Sequence, residues 1–203
     1  NIHPNPKNIL IIGGGDCGAA REVAKYPNVE RIDMVEIDEM VVQASKAHLK
    51  EVSGDLSDPR VNFIFDDGAS YVKQKRDYLY DVVIIDSSDP VGPALKLFEL
   101  EFYTDVYNAL AEDGLMACQS ESPVFYSEMM VNINSRLRSL YPIVKLYLAT
   151  VPTYPGGFWS FTIGSKKYKD TNPDAFDKET KYVNKDILES CFALPNFVKE
   201  RLE

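Results

Sequence analysis

Residues 8–18 read NILIIGGGDCG, and this stretch decides the fold. Four consecutive aliphatic residues, Ile9 to Ile12, run directly into three glycines. A strand buried on both faces is apolar without alternation, so the run predicts a central parallel strand that ends in a tight turn. Working outward, the arrangement repeats. AAREVAKY (19–26) has helical character, RIDMVEID (31–38) reads as a second strand, and EMVVQASKAHLKEV (39–52) as a helix with apolar residues at 40, 41, 44, 49 and 52. RVNFIFDDGA (60–69) is a third strand, SYVKQK (70–75) a short helix and YDVVIIDSSDP (80–90) a fourth strand. ELEFYTDVYNALAEDG (99–114) predicts an amphipathic helix stopped by Gly114, and LMACQSES (115–122) a fifth strand followed by a helix over 123–140. VKLYLATVP (144–152) and FWSFTIGSK (158–166) flank a Pro-Gly turn at 155–157 and predict an antiparallel hairpin. Residues 167–186 are polar and predict a surface loop before a short terminal helix.

Five βα units and a hairpin describe a doubly wound, Rossmann-like α/β fold: a seven-stranded, mostly parallel sheet with an antiparallel C-terminal hairpin, in one domain over 1–203. Such sheets bind ligands past the carboxyl ends of their strands, where the strand order reverses. The residues just beyond each strand therefore carry the chemistry. They are strongly acidic. Strand one ends in Gly13-Gly14-Gly15-Asp16, and Glu36 follows 20 residues beyond Asp16, where a carboxylate accepts ribose hydroxyls. Strand three ends in Asp66-Asp67-Gly68, strand four in Asp86 and Asp89, and strand five in Gln119-Ser120-Glu121. A carboxylate pair such as Asp86 and Asp89 calls for a cationic ligand. A nucleotide phosphate is the competing ligand for the glycine turn. Asp16 inside that turn would repel a pyrophosphate and would welcome an amine or a sulfonium.

Composition narrows the partners. The chain has 31 acidic and 22 basic residues, a formal net charge of −9, which argues against nucleic acid as a partner. Cys17, Cys118 and Cys191 have no paired spacing and only two histidines occur, so neither a disulfide scaffold nor a zinc site is expected and a reducing cytoplasm fits. No apolar run is long enough to span a bilayer, and no membrane association is expected.

The segments IIGGGDCGAAREV, VEIDEMVV, DPRVNFIFDDGA, YDVVIIDSSDPVGPA, LFELEFY, TYPGG and CFALPNFVKE span nearly the whole chain. Together they resemble the polyamine aminopropyltransferases, and among these the spermidine synthases, on a methyltransferase-type Rossmann-like domain. DSSDPVGPA together with TYPGG is the specific combination. The resemblance implies transfer of an aminopropyl group from decarboxylated S-adenosylmethionine, a co-substrate, to putrescine. Agmatine, cadaverine and spermidine are the alternative acceptors, and a nucleoside-binding chain without catalysis is the alternative of another class. No metal and no nicotinamide cofactor is implied. By likeness, Gly13 and Gly15 lie along the donor, Glu36 holds its ribose, Asp67 and Gly68 its adenine side, and Asp16 its primary amine. Asp86 is implied as the catalytic base, Asp89 as a binder of amine groups, and Gln119 and Tyr154 as the lining of the acceptor channel. A homodimer or homotetramer is implied.

Three departures from the family pattern carry expectations. Cys17 stands where glycine is usual, and a positive φ there would cost of order 1 kcal/mol. Leu95-Lys96 replaces an acid and a small residue in the acceptor loop, with Lys96 expected to face solvent. The family's N-terminal β-domain is expected to be absent, HPNPK (3–7) being read as its exit. His3 is expected in a loop, and Asp170, Asp174, Asp177 and Glu179 as a solvated stretch.

Overall fold

The computed structural model describes residues 1–203. Seven strands, β1 (Asn8–Gly13), β2 (Arg31–Glu36), β3 (Val61–Phe65), β4 (Tyr80–Asp86), β5 (Leu110–Gln119), β6 (Ile143–Thr150) and β7 (Phe158–Ser165), form one sheet in the order β3-β2-β1-β4-β5-β7-β6. β1 to β5 are mutually parallel, and β7 runs antiparallel to both β5 and β6. The expected fold class is the observed one.

β1 shows why the aliphatic run reads as it does. Alternate side chains of a strand face opposite sides of the sheet. Ile9 and Ile11 join Ile32, Met34, Ala20 and Val42 on one face, beneath α1 (Gly18–Ala24) and α2 (Glu39–His48). Leu10 and Ile12 join Val83, Ile85, Phe102, Tyr103 and Ile133 on the other, beneath α5 (Leu100–Ala109) and α6 (Ser127–Arg138). Both faces of the strand are therefore dry, and alternation disappears from its sequence.

The remaining helices are short: α3 (Lys50–Ser53), α4 (Gly68–Val72), and, after the polar loop, α7 (Lys185–Ser190) and α8 (Asn196–Leu202). The loop after β4 ends in a 3₁₀ helix, Gly92–Phe98.

The structure corrects several sequence boundaries. The helix expected to run to Gly114 ends at Ala109, because Leu110 turns inward as the first residue of β5. There it pairs with Tyr80, and the register then jumps so that Val82 faces Leu115. Gly114 lies inside that irregular stretch and caps no helix. The helix expected over 123–140 begins at Ser127, because Ser122 Oγ accepts from the Val124 and Phe125 amides and bends the chain into a turn. The 39–52 helix breaks at Leu49, and the terminal helix is two pieces. The stretch from Asp170 to Glu179 is a solvated loop as expected, with Asp170 paired to Lys145, Asp174 to Lys185 and Asp177 to Lys178. No helix is long and apolar enough to cross a membrane.

Candidate active site

The strand order reverses between β1 and β4, so their carboxyl ends open the crevice where such sheets bind ligands. Gly13 pairs in register with Asp86 at this point. Gly13 has φ 83°, and a Cβ there would stand 2.3 Å from the Asp86 carbonyl oxygen, so the two strands meet only because residue 13 is glycine. The Gly14 amide donates to the same oxygen at 2.8 Å. A Cβ on Gly15 would lie 2.7 Å from Val41 and 3.1 Å from Glu36 Oε2, so the bare backbone of the turn is what admits the Glu36 carboxylate.

Around this turn the predicted carboxylates converge. Asp16 is exposed and Oδ1 accepts from the Gly18 amide at 2.8 Å. Glu36 Oε1 accepts from the Asp38 amide at 3.1 Å, while Asp38 itself caps α2 by accepting from Met40. Asp86 opens onto the crevice, yet protein crowds it on most sides and no N–H of the chain donates to its carboxylate. That crowding pushes its pKa above the ordinary carboxylate range, and the charges of Asp16 and Glu36 push it further. No lysine or arginine nitrogen pairs with Asp16, Glu36, Asp86, Asp89 or Glu121. Repulsion of this kind persists in a fold only where something else is selected for, and a bound cation relieves it.

Asp67 lies at the same rim, where Oδ1 caps α4 by accepting from the Ser70 amide at 2.8 Å and Oδ2 is left over. Gly68 packs over Ile12 so closely that a Cβ would meet its Cγ2 at 2.4 Å.

The second half of the crevice is built by β5, β7 and the loop between β6 and β7. Gln119 is buried and uses both ends of its amide: Oε1 accepts from Trp159 Nε1 at 3.1 Å and from the Glu121 amide at 3.0 Å, and Nε2 donates to Glu121 Oε1 at 3.2 Å. Trp159 in turn stacks on Tyr154, ring centroids 4.0 Å apart. Burial raises the pKa of Tyr154, and the charges of Asp89, Asp86, Glu121 and Asp16 add to it. All eight expected catalytic and substrate-binding residues, and both glycines, thus lie at one edge of the sheet, at or past the carboxyl ends of β1 to β6.

Glu121, named at the end of strand five, is the residue to which sequence reasoning assigned no role. It is 2 % exposed, has φ 67°, and burial raises its pKa, with the Asp89 charge adding to the rise and the Gln119 amide opposing it. Left-handed backbone on a non-glycine residue is strained by roughly 1–3 kcal/mol and concentrates at functional sites. The available signal was the spacing: Gln119 and Glu121 stand two apart at the end of a strand.

Cys17 adopts the positive φ, 66°, that its replacement of glycine called for, and its side chain is fully buried among Ile9, Ala20 and Val42. His3 lies at the other end of the sheet from the crevice, near Asp81 and Asp113. Its Nδ1 accepts from the Asn5 amide, so in the neutral ring Nε2 carries the proton, 3.7 Å from Asp113 Oδ1. That tautomer suits a carboxylate neighbour and opposes a metal ligand.

The spermine/spermidine synthase domain matches residues 1–174. A polyamine aminopropyltransferase of Moorella thermoacetica is 48% identical over 206 residues, covering 100% of this chain and 72% of that protein. Its counterpart in Bacillus subtilis is 44% identical over 204 residues, covering 99% and 74%. Among solved structures, a spermidine synthase in complex with the transition-state analogue AdoDATO superposes with a TM-score of 0.94 at 41% identity, over 99% of this chain and 71% of that one. Spermidine synthase from Thermotoga maritima gives 0.90 at 40% identity, over 99% and 69%. An acidic crevice at the switch point and these matches together place the chain in the spermine/spermidine synthase family, the enzymes named polyamine aminopropyltransferases.

Proposed function

We propose that this crevice transfers an aminopropyl group from decarboxylated S-adenosylmethionine to putrescine, giving spermidine and methylthioadenosine. The observation that carries the reading is the convergence of Asp16, Glu36 and Asp86, with Asp89 and Glu121 close by, on a space to which the protein supplies no cation. The substrates supply the cations, as sulfonium and ammonium groups.

Attack of a neutral amine nitrogen on the carbon beside the sulfonium forms a C–N bond and breaks the C–S bond. The sulfur leaves as a neutral thioether and the nitrogen becomes the cation. An amine with a pKa of about 10.4 costs roughly 4–5 kcal/mol to deprotonate at pH 7. Asp86, held by the sheet and lacking a hydrogen-bond donor of its own, takes that proton directly or through water, and it then faces the new ammonium. Its raised pKa brings it nearer to neutrality and makes it a better acceptor than an ordinary aspartate. Holding the two reactants in line supplies the rest.

Glu36 accepts the ribose hydroxyls, the free Oδ2 of Asp67 and the backbone at Gly68 meet the adenine edge, and Gly13 and Gly15 let the donor approach the turn. Asp16 binds the donor's primary amine. It also separates this donor from S-adenosylmethionine, whose tail carboxylate it would repel. Asp89 and Glu121 hold the far ammonium of the acceptor. Gln119 acts by fixing Glu121 and Trp159, and Tyr154 faces the amine. The reaction as written needs neither metal nor organic cofactor, and we place it in the cytoplasm in a homodimer or homotetramer.

A competition assay offering putrescine, agmatine, cadaverine and spermidine tests the acceptor. Putrescine is expected to show the highest kcat/KM. A preference for agmatine would overturn the acceptor and leave the chemistry standing.

A further inference from the structure

Tyr154 sits on a loop with little else to hold it. Residues 152–156 are all exposed. Three backbone hydrogen bonds close the loop on itself, Val151 to Gly157, Tyr154 to Val151 and Gly157 to Tyr154. None of them ties it to the facing wall of the crevice. The Tyr154–Trp159 stack anchors it from below.

Across from the loop stands Phe125, an aromatic ring that is 59% exposed. What sets it apart from the chain's other exposed aromatics is the position of its edge against the loop that carries Tyr154. The backbone that presents it is rigid. Glu121 turns the chain out of β5 through its left-handed φ, Ser122 is buried and accepts from the amides of Val124 and Phe125, and Arg201 of α8 donates to the Pro123 carbonyl at 3.1 Å. Phe125 Cε2 points at Gly156, φ 79°, so closely that a Cβ there would lie 3.0 Å away. The ring edge thus rests against bare backbone in the one loop that carries Tyr154.

We propose that Phe125 is a positioning residue that latches the 151–157 loop, keeping Tyr154 stacked on Trp159 and facing the amine-binding carboxylates. The same turn that puts Glu121 against the acceptor also delivers Phe125 to the loop, so one backbone device sets both walls of the acceptor half. This inference rests on the amine-binding reading of that half. It makes Phe125 matter to acceptor binding and leaves the donor half untouched.

Trp159 is the chain's single tryptophan, so its fluorescence reports the stack directly and needs no turnover. Phe125→Ala is expected to raise acrylamide quenching of Trp159 about twofold. It should raise the amine KM about tenfold with kcat within about threefold, the pattern of lost ground-state binding. Methylthioadenosine affinity and thermal stability should stay at wild-type values, which excludes general unfolding. Phe125→Tyr should restore both readouts. Wild-type quenching, a wild-type KM, or a tyrosine variant as defective as alanine overturns the latch. Should the wild type transfer no aminopropyl group, the proposed function fails on that result, and the quenching of the two variants still decides the latch.

Discussion

Replacing Asp86 by Asn separates what the carboxylate does for catalysis from what it costs the fold. Protein crowding, and then the charges of Asp16 and Glu36, raise its pKa in the folded chain above its unfolded value. The folded state therefore binds this proton more tightly than the unfolded state does. Raising the pH from below the unfolded value through the folded one ionises the group at a loss of stability, which is complete above the folded pKa. The opening of Asp86 onto solvent screens part of that loss. Asp86→Asn should thus stabilise the empty protein at pH 7.5 and raise its Tm. The gain should vanish below the ordinary carboxylate range. Turnover should fall by about 10² or more, as for loss of a general base. In the wild type, kcat/KM should rise as Asp86 loses its proton. The acid limb of kcat should lie at lower pH, because the bound sulfonium draws the pKa back down. Differential scanning calorimetry and a methylthioadenosine-release assay read these quantities. A destabilisation above about 1 kcal/mol would mean that Asp86 holds the turn together. Wild-type turnover would mean that another group takes the proton.

Three further outcomes follow from the same geometry. Asp89→Asn should chiefly raise the amine KM with little change in kcat, the mark of lost ground-state binding in steady-state kinetics. Glu36→Ala should abolish most of the methylthioadenosine binding seen by calorimetry, while unfolding in urea stays near wild type. Cys17→Gly relieves about 1 kcal/mol of left-handed strain. It loses a fully buried thiol and adds roughly 0.5–1 kcal/mol of chain entropy, so stability should fall or stay level, and a gain above 1 kcal/mol would contradict the packing described for Cys17.

The parallel core was legible because strands dry on both faces cannot hide: Ile9–Ile12 and Val82–Ile85 are continuous apolar runs. The acids past those strands were legible for the same reason, since the strand ends locate them. The edges of the elements were not. Gly114 follows a helical pattern and suits a C-cap, but burial of Leu110 against Tyr80 outweighs that local preference and starts the strand five residues earlier. Ser122 likewise delays α6 through side-chain bonds that no periodicity records. Glu121 was visible at the end of strand five but had no role there, because its place depends on a left-handed backbone and on Gln119 folding back to grip it. The resemblance puts Gln119 in the channel lining, and its amide also holds Trp159 and Glu121 in place.

The most direct measurement mixes the protein with decarboxylated S-adenosylmethionine and putrescine and follows both products by mass spectrometry. The account predicts spermidine and methylthioadenosine in equal amounts, and no transfer from S-adenosylmethionine, whose carboxylate meets Asp16. Methyl transfer from S-adenosylmethionine, or methylthioadenosine released without any aminopropylated amine, would contradict it.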